Sequence, residues 1–293
     1  MTALSVAVAF DAPAKINLAL HVVGRRSDGY HLLESLSVFA QFADRLSVES
    51  SGEDRFHVHG PRAAEVPAGE DNLVLRARDA LRHRYGGTAA PVSIALEKNL
   101  PAAAGLGGGS SDAAAALLAL TRLWRLPAGM NELQDIGLAL GADLPMCLER
   151  RPLVARGVGE QLQPLPQVPA LPMVLANPGV GVSTPAVFGA LARRDNPPLP
   201  EVPRFPDSVA VAAWLAGTRN DLTEPALACA SPIADALDAL DRQGAMLARM
   251  SGSGATCFGL FREMADAEQA ATQLSAERPD WFVVATIAQG TQD

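Results

Sequence analysis

Lysine is nearly absent from this 293-residue sequence. Of its 24 lysine and arginine residues, only Lys15 and Lys98 are lysine. Arginine therefore serves at almost every position where a generic cation is sufficient. We expect Lys15 and Lys98 to stand where a compact ammonium is needed instead of a planar guanidinium. The alternative is chance retention in an arginine-rich chain.

Cysteine and long apolar runs are also scarce. Cys147, Cys229 and Cys257 are far apart and lack metal-ligand spacing, which favours a reducing cytoplasm over a disulfide framework. No apolar run approaches the roughly 20 residues of a membrane-spanning helix. The apolar N-terminus has no preceding Lys or Arg, so it is a poor signal peptide. The formal net charge of −8 disfavours non-specific nucleic-acid binding. We therefore expect a cytoplasmic protein without membrane or nucleic-acid partners.

Apolar residues make up 48% of the chain, which is ample for buried cores. The length suits two domains, and strand and helix patterns interleave in both halves, so the class is α/β or α+β. One or two strands are predicted over Ser5 to Val23, interrupted at Ala12-Pro13. The run LLESLSVFAQFADRLSVES predicts two strands with a turn near Ala43-Asp44.

Helix signals follow in the first half of the chain. Asn72 opens an amphipathic helix that Gly86-Gly87 ends. Asn131 is a good N-cap for ELQDIGLAL, which Gly141 can terminate, and Asp143 falls just beyond it. Asp143 stands in an apolar setting, which is unusual for a solvated turn aspartate. Such a carboxylate, with a lysine ammonium nearby, would suit activation of a substrate hydroxyl.

A glycine-rich turn from Leu100 to Asp112 runs directly into a strong helix. Its glycines permit positive φ and let backbone N–H groups converge, and Ser110 and Ser111 can cap the helix. The helix dipole adds positive potential at the same point, so the loop favours an anion, with phosphate the first candidate. The alternative is a tight turn before a core helix. No Walker sequence and no G-x-G-x-x-G pattern occurs, so neither of those phosphate-binding classes is supported.

A second glycine turn, MSGSGAT from Met250 to Thr256, lies between two apolar strands. Alone it predicts a hairpin. Paired with the first loop, it could close over a phosphate from the other domain.

These segments resemble a known family. LPAAAGLGGGSSDAAAAL is similar to the ATP-binding signature of the GHMP kinase superfamily. Six further segments resemble, in order, the GHMP kinases that act on 4-diphosphocytidyl-2-C-methyl-D-erythritol (CDP-methylerythritol). They are PAKINLALHVVGRRSDGYHLLESL, DNLVLRA, LALGADLPMCL, NPGVGVSTPAVF, NDLTEP and RMSGSGATCFGLF. The matches cover nearly the whole chain, and the DGYH and GADLP segments are the most specific.

The resemblance implies an α+β GHMP kinase fold. Residues 1–158 would form an ATP-binding domain like domain 2 of ribosomal protein S5, and residues 159–293 a ferredoxin-like domain, with the substrate cleft between the two. The implied reaction is ATP-dependent phosphorylation of the 2-hydroxyl of CDP-methylerythritol, in the non-mevalonate route to isoprenoid precursors. The Mg²⁺ ion would be carried by the nucleotide, with no metal site on the protein. A monomer or weak homodimer is expected.

The resemblance also assigns roles to single residues. Lys15 and Asp143 match the catalytic lysine and aspartate. The implied ATP-binding residues are Asn72, Leu73, Lys98, Pro101, Ala102, Ala103, Ala104, Gly105, Leu106, Gly107, Gly108, Gly109, Ser110 and Ser111. The implied substrate-binding residues are Asn17, Tyr30, His31, Thr184, Gly252, Ser253 and Gly254, of which Tyr30 and His31 would hold the cytosine ring.

The NDLTEP segment departs from the family pattern by an extra residue, Thr223, which weakens inference about Asp221 and Glu224. Two other functions stay open. One is a GHMP kinase of the homoserine or mevalonate type, which would lack preference for a cytidine nucleotide. The other is a non-catalytic nucleotide-binding member of the fold, against which the presence of both Lys15 and Asp143 argues.

Overall fold

The computed structural model describes residues 7–67 and 69–290. The strands in these residues are β1 (Val8–Arg25), β2 (His31–Ser50), β3 (Arg55–His59), β4 (Val92–Glu97), β5 (Leu153–Gly157), β6 (Gln161–Pro164), β7 (Leu171–Asn177), β8 (Leu247–Met250), β9 (Cys257–Leu260) and β10 (Phe282–Ala288). The helices are α1 (Leu73–Tyr85), α2 (Gly108–Leu123), α3 (Met130–Leu140), α4 (Leu144–Glu149), α5 (Thr184–Gly189), α6 (Ser208–Ala216), α7 (Thr223–Cys229), α8 (Pro232–Arg242) and α9 (Met264–Glu277). The mixture of helices and sheet confirms the predicted α+β class.

The described residues group into two compact units that alternate along the chain. Unit 1 contains residues in the ranges 7–14, 43–102 and 107–149. Unit 2 contains those in the ranges 15–42, 103–106 and 150–290. The divisions fall inside β1 and β2, so each of these strands contributes to both units. The domain boundary predicted at 158/159 stays a prediction.

Unit 1 combines a small sheet with helices α1 to α4. Strand β4 pairs in parallel with β3 and antiparallel with the second half of β2, where Arg45 lies opposite Glu97. Alternate β4 residues, Val92, Ile94 and Leu96, are buried, as expected for a strand with one covered face. Helix α2 buries a run of alanines from Ala113 to Ala116, whose small side chains allow close packing.

Unit 2 is organised around β7, which is buried along its whole length. Strand β7 pairs antiparallel with β10 on one side and β9 on the other, and β8 continues the sheet beyond β9. The first half of β2 pairs with β5, and its Ala40 lies opposite Ala288 of β10. Helix α8 buries Ile233, Ala236 and Leu240, which share one helical face toward this core.

Two predicted strand interruptions are wrong. Strand β1 continues through Pro13, and among the described strands it pairs with β2 alone. A strand with one partner has an open side, where proline costs no ladder hydrogen bond. Strand β2 likewise continues through Asp44. Aspartate is common in turns, but Asp44 is instead buried and accepts backbone hydrogen bonds, as described below.

The sequence predicted some helix ends correctly and one N-cap wrongly. The side chain of Asn72 caps α1 by accepting from the Val74 N–H at 2.8 Å, and Gly141 follows the end of α3, so both predictions are confirmed. The predicted Asn131 cap is wrong, because α3 begins at Met130 after Gly129. Within residues 7–67 and 69–290, no helix has both the length and the apolarity needed to cross a bilayer. Residues 1–6, on which part of the signal-peptide expectation depends, lie outside the described residues.

Candidate active site

The predicted site residues divide between the two units. Unit 1 contains Asn72, Leu73, Lys98, Pro101, Ala102, Gly107, Gly108, Gly109, Ser110, Ser111 and Asp143. Unit 2 contains Lys15, Asn17, Tyr30, His31, Ala103, Ala104, Gly105, Leu106, Thr184, Gly252, Ser253 and Gly254. The glycine loop thus belongs to both, and Lys15 and Asp143 belong to different units.

The glycine loop enters α2 without a side-chain cap. Gly107 is the N-cap in the left-handed region, with φ of 62°. Neither Ser110 nor Ser111 caps the helix, which corrects the prediction: both are already inside α2, and the Ser111 hydroxyl donates to the Pro13 carbonyl at 2.8 Å. The first-turn N–H groups therefore have no side-chain acceptor, and a helix start of this kind suits an anion.

The start of α1 lies beside the same loop in unit 1. A Cβ placed on Gly109 would lie 3.7 Å from the Leu73 side chain, so Leu73 borders the glycine loop. The Asn72 amide is committed to capping, since its oxygen accepts from Val74 and its nitrogen donates to the Pro67 carbonyl at 2.8 Å. Asn72 thus fixes the direction of α1 and with it the position of Leu73.

Lys98 forms a buried charge cluster under the loop. Its ammonium donates to Asp44 at 2.5 Å and to Asp112, in the first turns of α2, at 2.7 Å. Asp44 also accepts from the backbone N–H groups of Asn99 (2.5 Å) and Leu100 (2.8 Å). A Cβ on Gly108 would lie 3.2 Å from the ammonium. The cluster therefore ties the residues before the glycine loop to the helix after it, and the Lys98 charge is already engaged by two carboxylates.

The cluster contains one ammonium group and two carboxyl groups, and the pKa of the Asp112 carboxyl is raised above that of a free aspartate. Asp44 accepts hydrogen bonds from the Lys98 ammonium and from two backbone N–H groups. Asp112 has a buried Oδ1 atom without a hydrogen-bond partner. Burial raises the pKa of Asp112 to about 8, although the Lys98 charge opposes the shift. The charges of Asp112 and Asp44 in turn outweigh burial and raise the pKa of Lys98.

This arrangement predicts a pH-dependent stability that Asp112→Asn removes. Below the pKa of about 4 of an unfolded aspartate, both states hold the proton. As the pH rises toward about 8, the unfolded chain releases it first, so wild-type stability falls, by at most about 1.4 kcal/mol per pH unit. Asparagine mimics the neutral carboxyl and cannot titrate. Urea unfolding at pH 5, 6, 7 and 8 should therefore show that the free energy of unfolding of the variant increases relative to that of the wild type as the pH rises.

The exposed Asp238→Asn, on α8, is the matched control and should follow the wild-type pH curve. Parallel curves for Asp112→Asn and wild type would contradict the assignment of a raised Asp112 pKa.

In unit 2 the backbone of the first glycine loop meets the second glycine turn. Gly105 has φ of 77°, and a Cβ there would collide with the Ser251 carbonyl oxygen. The Ser251 hydroxyl donates to the Gly105 carbonyl at 2.9 Å, and the Thr256 N–H donates to the Ala104 carbonyl at 3.1 Å. The two glycine segments therefore contact each other in this unit, and Gly105 is required for the close approach. Their closure over a phosphate stays a prediction.

Asn17 extends from β1 into the same region. Its N–H donates to the Ser251 hydroxyl at 3.1 Å, and its amide nitrogen donates to the hydroxyls of Ser35 (2.7 Å) and Ser37 (3.1 Å). The Asn17 Oδ1 atom is buried and has no hydrogen-bond partner. Because both donors are used, Asn17 presents a fixed acceptor beside Gly252, which suits a substrate hydroxyl. Lys15, two residues earlier and on the same strand, is also buried, and its N–H donates to the Leu106 carbonyl at 2.9 Å.

Asn220 supports the second glycine turn and was missed by sequence reasoning. Its amide nitrogen donates to the carbonyls of Met250 and Gly252, each at 2.8 Å, and its oxygen accepts from the Leu222 N–H at 3.0 Å. Thr184, the first residue of α5, places its hydroxyl 2.8 Å from the Ser253 hydroxyl. The extra residue Thr223 is the first residue of α7. The NDLTEP segment, which begins at Asn220, is the sequence signal for this residue.

A ring-binding surface lies at the start of β2. Tyr30 is 62% exposed, and the His31 ring stacks on Phe188 of α5 with centroids 4.9 Å apart and planes at 27°. Burial lowers the pKa of His31, and the positive charges of Arg25 and Arg194 lower it further. The imidazole is therefore neutral near pH 7, and its buried Nε2 atom lacks a partner. A neutral ring nitrogen beside the Phe188 ring suits a planar, polar heterocycle. Phe188 ends the segment NPGVGVSTPAVF, and sequence reasoning missed it because its contact with His31 depends on the fold.

Comparisons with known proteins agree with this geometry. The family model described as GHMP kinases N terminal domain matches residues 72–150, and that described as GHMP kinases C terminal matches residues 209–280. A 4-diphosphocytidyl-2-C-methyl-D-erythritol kinase of Chelativorans sp. (strain BNC1) is 54% identical over 276 residues, covering 94% of each chain.

Two solved structures are similar to this chain. A crystal structure of 4-(cytidine 5'-diphospho)-2C-methyl-D-erythritol kinase is 37% identical, with a TM-score of 0.77, and the match covers 96% of this chain and 100% of the other. A homoserine kinase from Cytophaga hutchinsonii is 18% identical with a TM-score of 0.70, covering 100% and 98%, and supports the fold alone.

Proposed function

Because the chain belongs to the 4-diphosphocytidyl-2-C-methyl-D-erythritol kinases of the GHMP family, we propose that it transfers the γ-phosphoryl group of ATP to the 2-hydroxyl of CDP-methylerythritol. The observation that supports this acceptor is the stacked pair of His31 and Phe188. A neutral imidazole with an unpartnered nitrogen can bond the edge of cytosine, which carries no charge of its own. Homoserine and mevalonate offer no ring to such a surface.

The donor side of the proposal rests on the uncapped start of α2. Positive φ at Gly105 and Gly107 turns backbone toward the loop interior, and the helix N-terminus adds partial positive charge. ATP phosphates suit this arrangement, and we propose that Mg²⁺ arrives bound to them as part of the substrate. Phosphoryl transfer needs mainly positioning and charge stabilisation, so a rigid loop is the central requirement. The buried Lys98 cluster supplies that rigidity.

The acceptor side assigns roles to three residues. Asp143 orients the acceptor hydroxyl and takes its proton as the new P–O bond forms. Lys15 stabilises negative charge on the transferred group. Asn17 accepts a hydrogen bond from a substrate hydroxyl through its unpartnered oxygen. These roles extend the resemblance noted in the sequence, and variants test each of them separately.

We also propose a cytoplasmic monomer or weak homodimer with no nucleic-acid partner. The three cysteines form no disulfide within residues 7–67 and 69–290, as in proteins of reducing compartments, and ATP is abundant there. The net charge of −8 disfavours binding to nucleic-acid phosphates.

An ADP-release assay with alternative acceptors tests the function. We expect ADP formation with CDP-methylerythritol and Mg²⁺, and none with homoserine or mevalonate at the same concentration. Omission of Mg²⁺ should abolish the signal. A preference for homoserine or mevalonate would replace the proposed substrate, and ATP binding without transfer to any of the three acceptors would favour the non-catalytic alternative.

A further inference from the structure

The loop after α5 is attached to the β1–β2 hairpin at three points. Phe188 stacks on His31 at its beginning. The Asn196 N–H donates to the Val22 carbonyl at 3.1 Å, and the Leu199 N–H donates to the Glu34 carboxylate at 2.8 Å. Arg194 lies between the first and second of these attachments. Its backbone is therefore held beside the hairpin that carries His31.

Arg194 has unused hydrogen-bonding capacity. Its Nε atom is buried and lacks a hydrogen-bond partner, and no carboxylate pairs with it within the part of the chain that the structure describes. The preceding Arg193 differs, because its guanidinium pairs with Asp195 at 3.0 Å. A buried donor without an acceptor costs free energy, so such an atom is a position where a ligand oxygen is favoured.

Arg25, at the end of β1, also lacks a carboxylate partner within residues 7–67 and 69–290, although the next arginine has one. Its Nε donates to the Gly29 carbonyl at 3.1 Å, and among the described residues it has no carboxylate partner. The next residue, Arg26, pairs with Asp28 at 2.6 Å. Arg25 contacts the Gly29 carbonyl, two residues before His31, and Arg194 lies in the loop whose Phe188 stacks on the His31 ring. The charges of both arginines lower the pKa of His31. The chain has a net charge of −8, and Arg25 and Arg194 form a local concentration of positive charge without carboxylate partners in the described part of the chain.

We propose that Arg194, assisted by Arg25, binds the diphosphate group of the acceptor substrate. This inference deepens the proposed function and depends on it. With the cytosine ring on His31, the diphosphate lies one ribose away, beside the two guanidinium groups. A planar guanidinium can donate two parallel hydrogen bonds to phosphate oxygens, and these charge-assisted bonds exceed neutral ones in strength. The pair would thereby select cytidine diphosphates over acceptors that carry the same base without phosphate.

Binding of cytidine nucleotides to Arg194→Gln and Arg25→Gln tests the proposal. Calorimetric titrations use the full chain with cytidine, CDP, ADP and inorganic pyrophosphate, and a saturating non-hydrolysable ATP analogue keeps CDP out of the donor site. For Arg194→Gln we expect the Kd of CDP to rise about 10- to 100-fold, as for the loss of a hydrogen bond between charged groups. The Kd of cytidine should stay within about twofold, because the base surface is intact. Arg25→Gln should show a smaller rise, and the double variant should bind CDP no better than cytidine.

Arg193→Gln and Arg26→Gln are matched controls, since each removes a neighbouring exposed arginine that already has a carboxylate partner. ADP binding, measured without the analogue, should be unchanged in all four single variants. Equal weakening of cytidine and CDP in Arg194→Gln, or no change in either, overturns the proposal. Pyrophosphate binding as tight as CDP assigns the arginines to a free-anion site instead and also overturns it. If the wild type binds neither cytidine nor CDP, the proposed function itself fails.

Discussion

Replacing Asp143 by asparagine is expected to lower kcat about 10²- to 10⁴-fold, the range for loss of a group that moves a proton in the transition state. Asp143 lies in the turn between α3 and α4, with the apolar helix Leu144–Glu149 directly after it. Asparagine keeps the size of the side chain and one acceptor oxygen, but it cannot take a proton. The KM values for ATP and CDP-methylerythritol should change little, because the loss falls on the transition state.

A matched variant on the preceding helix separates loss of the Asp143 carboxylate from a general change of charge. Asp135→Asn, at an exposed position on α3, is the control and should retain wild-type turnover. A folded Asp143→Asn with undiminished kcat would remove Asp143 from the chemistry.

Replacing Lys98 by methionine is expected to destabilise the protein by about 3–5 kcal/mol, the cost of leaving a buried charge without its partner. The ammonium is 3% exposed and holds two carboxylates, Asp44 and Asp112. Methionine fills a similar volume and carries no charge, so the two acidic groups would face each other. For a chain of this size the melting temperature should fall by about 6 to 20 °C.

Two further variants test whether the destabilisation of Lys98→Met comes from the loss of the buried ammonium charge. Arg55→Met removes an exposed arginine whose ion pair with Glu53 is worth at most about 1 kcal/mol, so its melting temperature should hardly change. The double variant Lys98→Met/Asp112→Asn removes one of the stranded acids and should recover part of the loss. A Lys98→Met protein that melts with the wild type would show that the cluster does not stabilise the fold. In a folded Lys98→Met, a raised KM for ATP would indicate that the cluster also positions the glycine loop.

Local patterns in the sequence predicted the parts of the structure that depend on neighbours along the chain. The Asn72 cap, the glycine loop before α2, and the β8–turn–β9 hairpin all follow from turn and cap chemistry within a few residues. The resemblance carried by longer segments then supplied the fold and the family, which pattern alone left at α/β or α+β.

Residues that act over long sequence distances were missed. The residues next to Asp44 in the sequence favour a turn there. Only the fold brings Asp44 into contact with Lys98, which lies 54 positions later. Phe188 is one apolar residue of a short helix until α5 places it on His31. Asn220 caps a glycine turn 30 residues further along the chain. In each case the tertiary contact overrides a local preference that favoured another interpretation.

The chain's path between the two units has a consequence during translation. The first half of β2 belongs to unit 2, yet Ala40 finds its partner Ala288 only about 250 residues later. At elongation rates of about 5–20 residues per second, that partner emerges roughly 12 to 50 s after Ala40. Throughout that interval the segment of β2 around Ala40 has no β10 neighbour. Unit 2 can therefore close only near the end of synthesis, and a ribosome stalled before β10 would hold a chain with an open strand edge, the kind of surface that chaperones bind.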